Sequence, residues 1–331
     1  MSFDALLLLS FGGPDQPEDV RPFLANVLRG RPVSDERVEQ VVSQYMQFGG
    51  RSPINDQNRS FLEALRAEFS SHGRDLPVYW GNRNWSPYLA DTVARMRDDG
   101  VSNAAVFVTS AYSSYSSCRQ YLEDLDRARD QVGTGAPLLH KLRPYFNHPG
   151  FVAPHADGLR AARETAGPDA PVLMSAHSLP EAMAAGCEYQ DQLSETAALV
   201  ATGAGVAPTG WQLVFQSRSG TPAQPWLGPD VCDAIEALPE GTPSVIVAPI
   251  GFVSDHMEVL YDLDTRAAEV AAARGVRMVR SATPGTDARF VHMVCQLMAE
   301  IELPGEAPVA LGGAGPRPLS CPVGCCPAPH R

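Results

Sequence analysis

The sequence predicts an α/β protein made of two lobes in succession, each a doubly wound parallel sheet. Three observations carry that prediction. Short apolar runs alternate with longer segments of helical period along almost the whole chain, the pattern of successive β-α-β units. The 331 residues suffice for two ordinary domains with cores of their own. Hydrophobic residues make up 44% and charged residues 19%, the balance of a globular rather than a disordered chain.

Each element has its own justification. The apolar runs are 6–9, 78–80, 104–108, 172–174, 213–215, 245–248 and 276–279, short enough for buried strands. Between them lie helical patterns at 61–69, 89–96, 121–128 and 259–272. Ser34 stands where an N-cap is needed before the pattern 37–44, and Gly100 and Gly275 follow helices as stops. These breaks divide the chain into an N-terminal lobe at 1–114, a C-terminal lobe at 115–304 and a tail at 305–331. The tail is rich in Pro, Gly and Ala and has no helical period, so composition alone makes it flexible. No internal repeat of 20–50 residues is visible.

Composition excludes several functions. The net charge of −12 and a pI near 5.1 give a surface that repels nucleic acid. Lys141 is the lone lysine, and no Gly-rich loop ends in Gly-Lys, so the phosphate-binding loop of nucleoside triphosphatases is absent. The early apolar run 5–9 follows Asp4 and no basic stretch, unlike a signal peptide. No run approaches the roughly 20 apolar residues of a membrane span. A cytoplasmic address is expected.

Ligands of open α/β sheets gather at the carboxyl ends of strands. Five such ends carry polar or glycine-rich sequence: 10–14, 109–113, 175–180, 216–219 and 249–258. His177 follows the run 172–174 and precedes Pro180, which stops the strand. A neutral imidazole there can accept a proton or ligate a metal, or serve as a hydrogen-bonded strand end. Asp255 and Glu258 have cap-like spacing, and for Asp255 a capping role is preferred. Glu258, Asp262 and Arg266 fall four apart on one helix face, where two carboxylates can relay protons or a cation, or form a solvated face. Phe11, in Phe11-Gly12-Gly13-Pro14, either lies against a flat ligand or belongs to the core beside a turn.

Together these segments resemble the ferrochelatase family. Ser175-Ala176-His177-Ser178-Leu179-Pro180 looks like the family's signature loop, and Gly251-Phe252-Val253-Ser254-Asp255-His256-Met257-Glu258-Val259-Leu260-Tyr261-Asp262 is similar to its second signature. Phe11-Gly12-Gly13-Pro14, Gly49-Gly50-Arg51-Ser52-Pro53, Gly210-Trp211-Gln212, and Thr221-Pro222 with Pro225-Trp226-Leu227-Gly228-Pro229 match in family order over some nine-tenths of the chain. The resemblance implies two Rossmann-like lobes with the active-site cleft between them, and a lyase of heme biosynthesis that inserts Fe²⁺ into a porphyrin and releases two pyrrole protons.

The resemblance also distributes roles. His177 and Glu258 would jointly take the pyrrole protons and hold the iron, facing each other across a slot wide enough for a tetrapyrrole, with Asp262 continuing the relay. N and O donors suit iron at such a site. Phe11 departs from the tyrosine of some members and offers packing only, while Arg266 replaces an acidic residue and shortens the carboxylate row. Arg29, Arg31, Tyr45 and Ser52 are candidates for the substrate propionates, since Arg grips carboxylates bidentately, although each arginine is equally an ordinary surface charge. The substrate implied is coproporphyrin III, as in relatives without a membrane-binding lip; protoporphyrin IX is the alternative. A non-catalytic porphyrin or iron–sulfur sensor on the same fold is a second class of reading.

There are seven cysteines. Three of them, Cys321, Cys325 and Cys326, crowd the last eleven residues, and in a reducing cytosol that reads as a metal or redox site. Some ferrochelatases hold a [2Fe–2S] cluster with three C-terminal cysteines and one distant one, which implies Cys118, Cys321, Cys325 and Cys326 here. Zinc is the chemical rival. Cys187 is an alternative fourth ligand, set aside because it follows the His177 loop, away from where the tail is expected to pack. Cys232 and Cys295 read as core.

Overall fold

The computed structural model describes residues 2–30, 33–219, 223–303, 305–322 and 324–328. It divides into two compact units. The first comprises Met1–Thr109, Tyr121–Leu142 and Asp255–Met257. The second comprises Ser110–Gln120, Arg143–Ser254 and Glu258–Arg331.

The first unit holds a parallel sheet of β1 (Ala5–Ser10), β2 (Val78–Asn82), β3 (Asn103–Val108) and β4 (Leu138–Lys141), in the order β2-β1-β3-β4. β1 is buried along its whole length, which explains its unbroken apolar sequence: a central strand of a doubly covered sheet has no wet face. Helices α1 (Val20–Val27), α2 (Asp35–Gln47) and α3 (Ile54–Ser71) precede β2, and α4 (Leu89–Asp98) follows it. Leu7, Leu9, Val93, Met96, Val106, Tyr121 and Leu125 form the core on one face, shared with α5 (Gln120–Val132). Ser34 caps α2 by accepting from the Arg37 N–H at 3.3 Å.

The second unit repeats the plan. Strands β5 (Val172–His177), β6 (Trp211–Gln216), β7 (Ser244–Ala248) and β8 (Arg277–Arg280) are parallel in the order β6-β5-β7-β8. Its helices are α6 (Pro149–Ala166), α7 (Glu181–Ala184), α8 (Tyr189–Gly203), α9 (Val231–Glu236), α10 (Met257–Val259), α11 (Ala268–Ala273) and α12 (Ala288–Glu302). Two π-helical stretches, Tyr115–Arg119 and Leu260–Ala267, interrupt this regular set.

Two expectations need correction. The N-terminal lobe does not end at 114: α5 from Tyr121 onward and β4 belong to the first unit, and β4 pairs with β3 over Asn103↔Leu138 to Val106↔Lys141. β4 escapes the sequence reading because an edge strand of four half-exposed residues, Leu-Leu-His-Lys, has no apolar run. Nor does the tail hang free on its composition. Arg143 and Glu300, both buried and joined bidentately at 2.7 Å, bind Val309 through its carbonyl and its N–H. Asn147 donates to the Leu311 and Gly315 carbonyls, and Arg317 pairs with Glu188. A glycine-rich segment thus finds its hydrogen bonds in side chains of the second unit.

Candidate active site

In the second unit the chain passes from β5 to β6 on one side and returns to β7 on the other. β5 and β7 therefore flank the switch point of the sheet, where open α/β sheets bind ligands. His177 is the last residue of β5, paired in register with Gln216 of β6. The Ser178 N–H continues the ladder to the Gln216 carbonyl at 2.8 Å. The loop after β7 comes close to β5: the Gly251 N–H donates to the Ser175 carbonyl, and a Cβ on Gly251 would lie 2.7 Å from Ala176 Cα. Glycine is required at 251 by this approach. The helical run then starts at Met257, so Asp255 stands two residues ahead of it rather than in the capping position.

The result is a close pair. His177 Nε2 lies 3.6 Å from Glu258 Oε2, with the imidazole about one-third and the carboxylate about half exposed. This corrects the expected slot. His177 ends β5 and Glu258 sits on α10, after the loop that leaves the neighbouring β7, and no macrocycle fits between atoms this close. The His177 Nδ1 donates to the Ser178 carbonyl, which fixes the tautomer and leaves Nε2 aimed at Glu258. Burial opposes the imidazolium, but the charge and hydrogen bonding of Glu258, the Ser178 carbonyl and Asp262 outweigh it and raise the pKa to about 9.

Asp262 is buried behind this pair. Its carboxyl is held above the usual range by burial and by the charge of Glu258, against the pull of Ser217 and Arg266. The Ser217 hydroxyl donates to Asp262 Oδ2 at 2.5 Å, and Arg266 Nη1 reaches Oδ1 at 3.3 Å. Ser217 adopts a φ of 63°, a left-handed conformation rare for serine and one that stores strain. Gln216, fully buried, donates from Nε2 to the Glu258 carbonyl at 3.1 Å. Both residues lie in the strand-end segment 216–219, which the sequence singles out without assigning them a role.

The propionate candidates lie in the first unit. Phe11 is 38% exposed, which removes it from the core, and its ring meets Phe23 edge-on at 6.2 Å. Tyr45 meets the same Phe23 at 6.0 Å, so Phe11 and Tyr45 flank one aromatic cluster. Gly12 allows the turn beside them with a φ of 81°. Arg29 is exposed and bound to Asn26 Oδ1. Arg31 lies outside the described residues. Ser52 is 2% exposed beneath Gly13, with its Oγ 3.5 Å from the Ile54 N–H. That places it in the packing of the turn instead of on an open surface.

Four thiols of the second unit, those of Cys118, Cys187, Cys325 and Cys326, lie near enough to influence one another. Cys118 and Cys326 are buried, and Cys325 and Cys326 Sγ atoms are 3.5 Å apart. Burial, Cys325, Cys118 and Cys187 all push the Cys326 thiol up, and burial, with Cys325, does the same to Cys187. The tail also meets this loop at Pro327, 3.3 Å from where a Gly186 Cβ would stand. Cys187 therefore sits with the tail and not away from it. Cys321 is half-buried, as is Cys295, while Cys232 packs in the core of the second unit.

A family model described as Ferrochelatase matches residues 3–301. The chain belongs to the ferrochelatase family. A protein of Rhodopirellula baltica named Ferrochelatase is 50% identical over 98% of this chain and 93% of its own length. Coproporphyrin III ferrochelatases of Streptomyces griseus and Nocardia farcinica are 51% and 49% identical, covering 98% and 100% of this chain and 94% and 98% of theirs. Among solved structures, the sirohydrochlorin chelatase SirB of Bacillus subtilis subspecies spizizenii, in complex with cobalt, gives a TM-score of 0.54 at 10% identity, covering 92% of this chain and 97% of that one. SirB of Bacillus subtilis with Fe³⁺ gives 0.56 at 11% over 92% and 99%. At such identities the likeness concerns the fold alone. Among the described residues, no helix of this ferrochelatase-family chain is long and apolar enough to cross a membrane. The cysteine tail lies beyond residue 301, where the match to the family model ends.

Proposed function

We propose that the chain is a cytoplasmic ferrochelatase that inserts Fe²⁺ into coproporphyrin III and releases two protons. The observation that carries the reading is the His177–Glu258 pair at the switch point of the second sheet. Metal insertion into a tetrapyrrole demands an acceptor for two pyrrole protons and N/O donors for the iron, and this pair supplies both. Nε2, protonated below about pH 9, takes a pyrrole proton or a metal only after its own proton has left through Glu258. Glu258 carries the compensating charge, and Asp262, held toward its protonated form, continues the relay through the Ser217 hydroxyl, while the permanently charged Arg266 holds its other oxygen. With the two groups adjacent, the macrocycle lies against the pair and presents its nitrogens to one spot. Phe11 and Tyr45 offer aromatic surface to a flat ring, and Arg29 and Arg31 offer charge to propionates. The substrate choice follows the two relatives of about half identity that are named for coproporphyrin III.

The same reading includes a [2Fe–2S] cluster held by Cys118, Cys321, Cys325 and Cys326, with Cys187 the alternative fourth ligand. Thiolate donors suit such a group: after burial, Cys325, Cys118 and Cys187 push the Cys326 thiol up, and bound iron would offset the charge of the thiolates. Bound there, the cluster supplies an ordered anchor for the tail or a redox sensor, since metal insertion transfers no electrons.

An anaerobic assay with Fe²⁺ tests the function, comparing coproporphyrin III with protoporphyrin IX. Faster turnover of coproporphyrin III is expected. Preference for protoporphyrin IX would transfer the enzyme to the alternative substrate, and no insertion into either, with tight binding of both, would favour the sensor.

A further inference from the structure

Two buried phenols brace the strand ends that carry the pair. The Tyr189 hydroxyl, on the first residue of α8, donates to the backbone carbonyl of His177 itself at 2.9 Å. The Tyr112 hydroxyl donates to the Ile250 carbonyl at 2.8 Å, one residue before Gly251 closes on β5. The two rings meet edge to face at 5.9 Å and 80°. Both are almost fully buried, and burial holds both phenols far above their ordinary pKa, so each remains a donor wherever the enzyme works.

We infer that Tyr189 is a positioning residue for His177, with Tyr112 its counterpart for the loop that leads to Glu258. This inference rests on the proposed role of the pair. The argument is geometric. His177 is the last residue of β5; the ladder holds the N–H side of its peptide to Ser178 through the Gln216 carbonyl, and its Nδ1 is spent on the adjacent Ser178 carbonyl. The phenol holds the carbonyl side of the His177–Ser178 peptide. Without it only the Ser178 N–H bond to Gln216 holds that peptide, which can tilt about this bond and take Nε2 off the line to Glu258. The ring contact ties that restraint to the one at Ile250, so the spacing of the two strand ends is set by one rigid aromatic unit. Tyr189 reaches His177 only through the backbone carbonyl, so it touches neither the porphyrin nor the iron.

Tyr189→Phe removes the hydroxyl and keeps the ring. In the full-length protein, kcat for coproporphyrin III with Fe²⁺ should fall on the order of tenfold, because sub-ångström displacement of a reacting group has that scale. The porphyrin KM and the Kd from fluorescence quenching should stay within about twofold, since positioning acts on the chemical step. In a His177→Ala background the substitution should cost nothing further, the non-additivity of residues acting as one unit. A fall in Tm with unchanged kcat would reduce Tyr189 to a core residue and overturn the inference. So would an equal loss in the His177→Ala background. Normal turnover in His177→Ala alone would instead sink the reading of the site, and this inference with it. If Tyr189→Phe fails to fold, Tyr112→Phe gives the same test, and unchanged kcat there overturns the inference.

Discussion

Glu258→Gln isolates the electrostatics of the pair. At 3.6 Å two unit charges interact with about 1 kcal/mol in water and about 5 kcal/mol at an effective dielectric of 20. Glu258 is half exposed, so solvent screens the interaction toward the lower figure, about 1.5–3 kcal/mol, or roughly one to two pH units. His177 sits near 9 because this attraction exceeds the burial penalty. Glutamine keeps the shape and removes the charge, so the imidazole midpoint should fall by at least about one unit. NMR titration of ring-labelled histidine, with His177→Ala to assign the resonance, reads this directly. The stability of the apoprotein carries the same signature. A midpoint raised above the unfolded value near 6.5 stabilises fully below that pH and ceases to do so as pH rises through about 9. The Tm gap between wild type and Glu258→Gln should therefore be widest near pH 6 and vanish near pH 10. A wild-type midpoint near 6.5, or one that Glu258→Gln leaves in place, would refute the coupling.

Asp262→Asn should lower the same midpoint by less than Glu258→Gln does, because Asp262 is the smallest contributor; an equal or larger shift would overturn the order of influence. Gly251→Ala should cut kcat at least about tenfold while far-UV circular dichroism stays unchanged, since the new methyl meets the backbone one residue before His177; unaltered turnover would mean that the loop yields freely. Glu300→Gln strands Arg143 in the core and should cost about 3–5 kcal/mol in chemical denaturation, with faster amide exchange at Val309; no loss would mean that water reaches the site. The purified protein should be red-brown, and Cys118→Ser should abolish its visible bands; a colourless protein containing zinc would replace the cluster by the rival metal.

What the sequence disclosed follows from which forces it records. β1 and β7 are buried from end to end, so hydrophobicity alone marks them, and His177 and Glu258 stand out because strand ends in open sheets are where polar sequence has work to do. β4 is hidden because its stability comes from pairing with β3, which leaves no trace in four mixed residues. The fastening of the tail is hidden for a related reason. Its backbone is bound by Arg143, Asn147 and Glu195, residues far away in sequence, and by Glu300 at the end of α12, and composition reports only that the segment makes no helix of its own. Tyr189 gives no signal at all, since a buried phenol aimed at a carbonyl looks like any aromatic at a helix start.

The π-helical stretch did leave a signal. Val259, Leu263, Ala267 and Ala271 are all fully buried in one cluster, at a strict spacing of four. In an α-helix four residues overshoot a full turn by about 40°, so this stripe would wind about 120° around the axis over its three steps. The wider turns of Leu260–Ala267 advance less per residue and undo that drift, so the apolar stripe stays on the core of the second unit. Glu258, Asp262 and Arg266 share the same spacing and are kept in line by the same unwinding. That is why a buried Asp262 can receive Arg266 on one side and Ser217 on the other while still sensing Glu258. The irregular helix and the carboxylate row are one feature: a period of four in both apolar and charged residues, satisfied only where the helix widens.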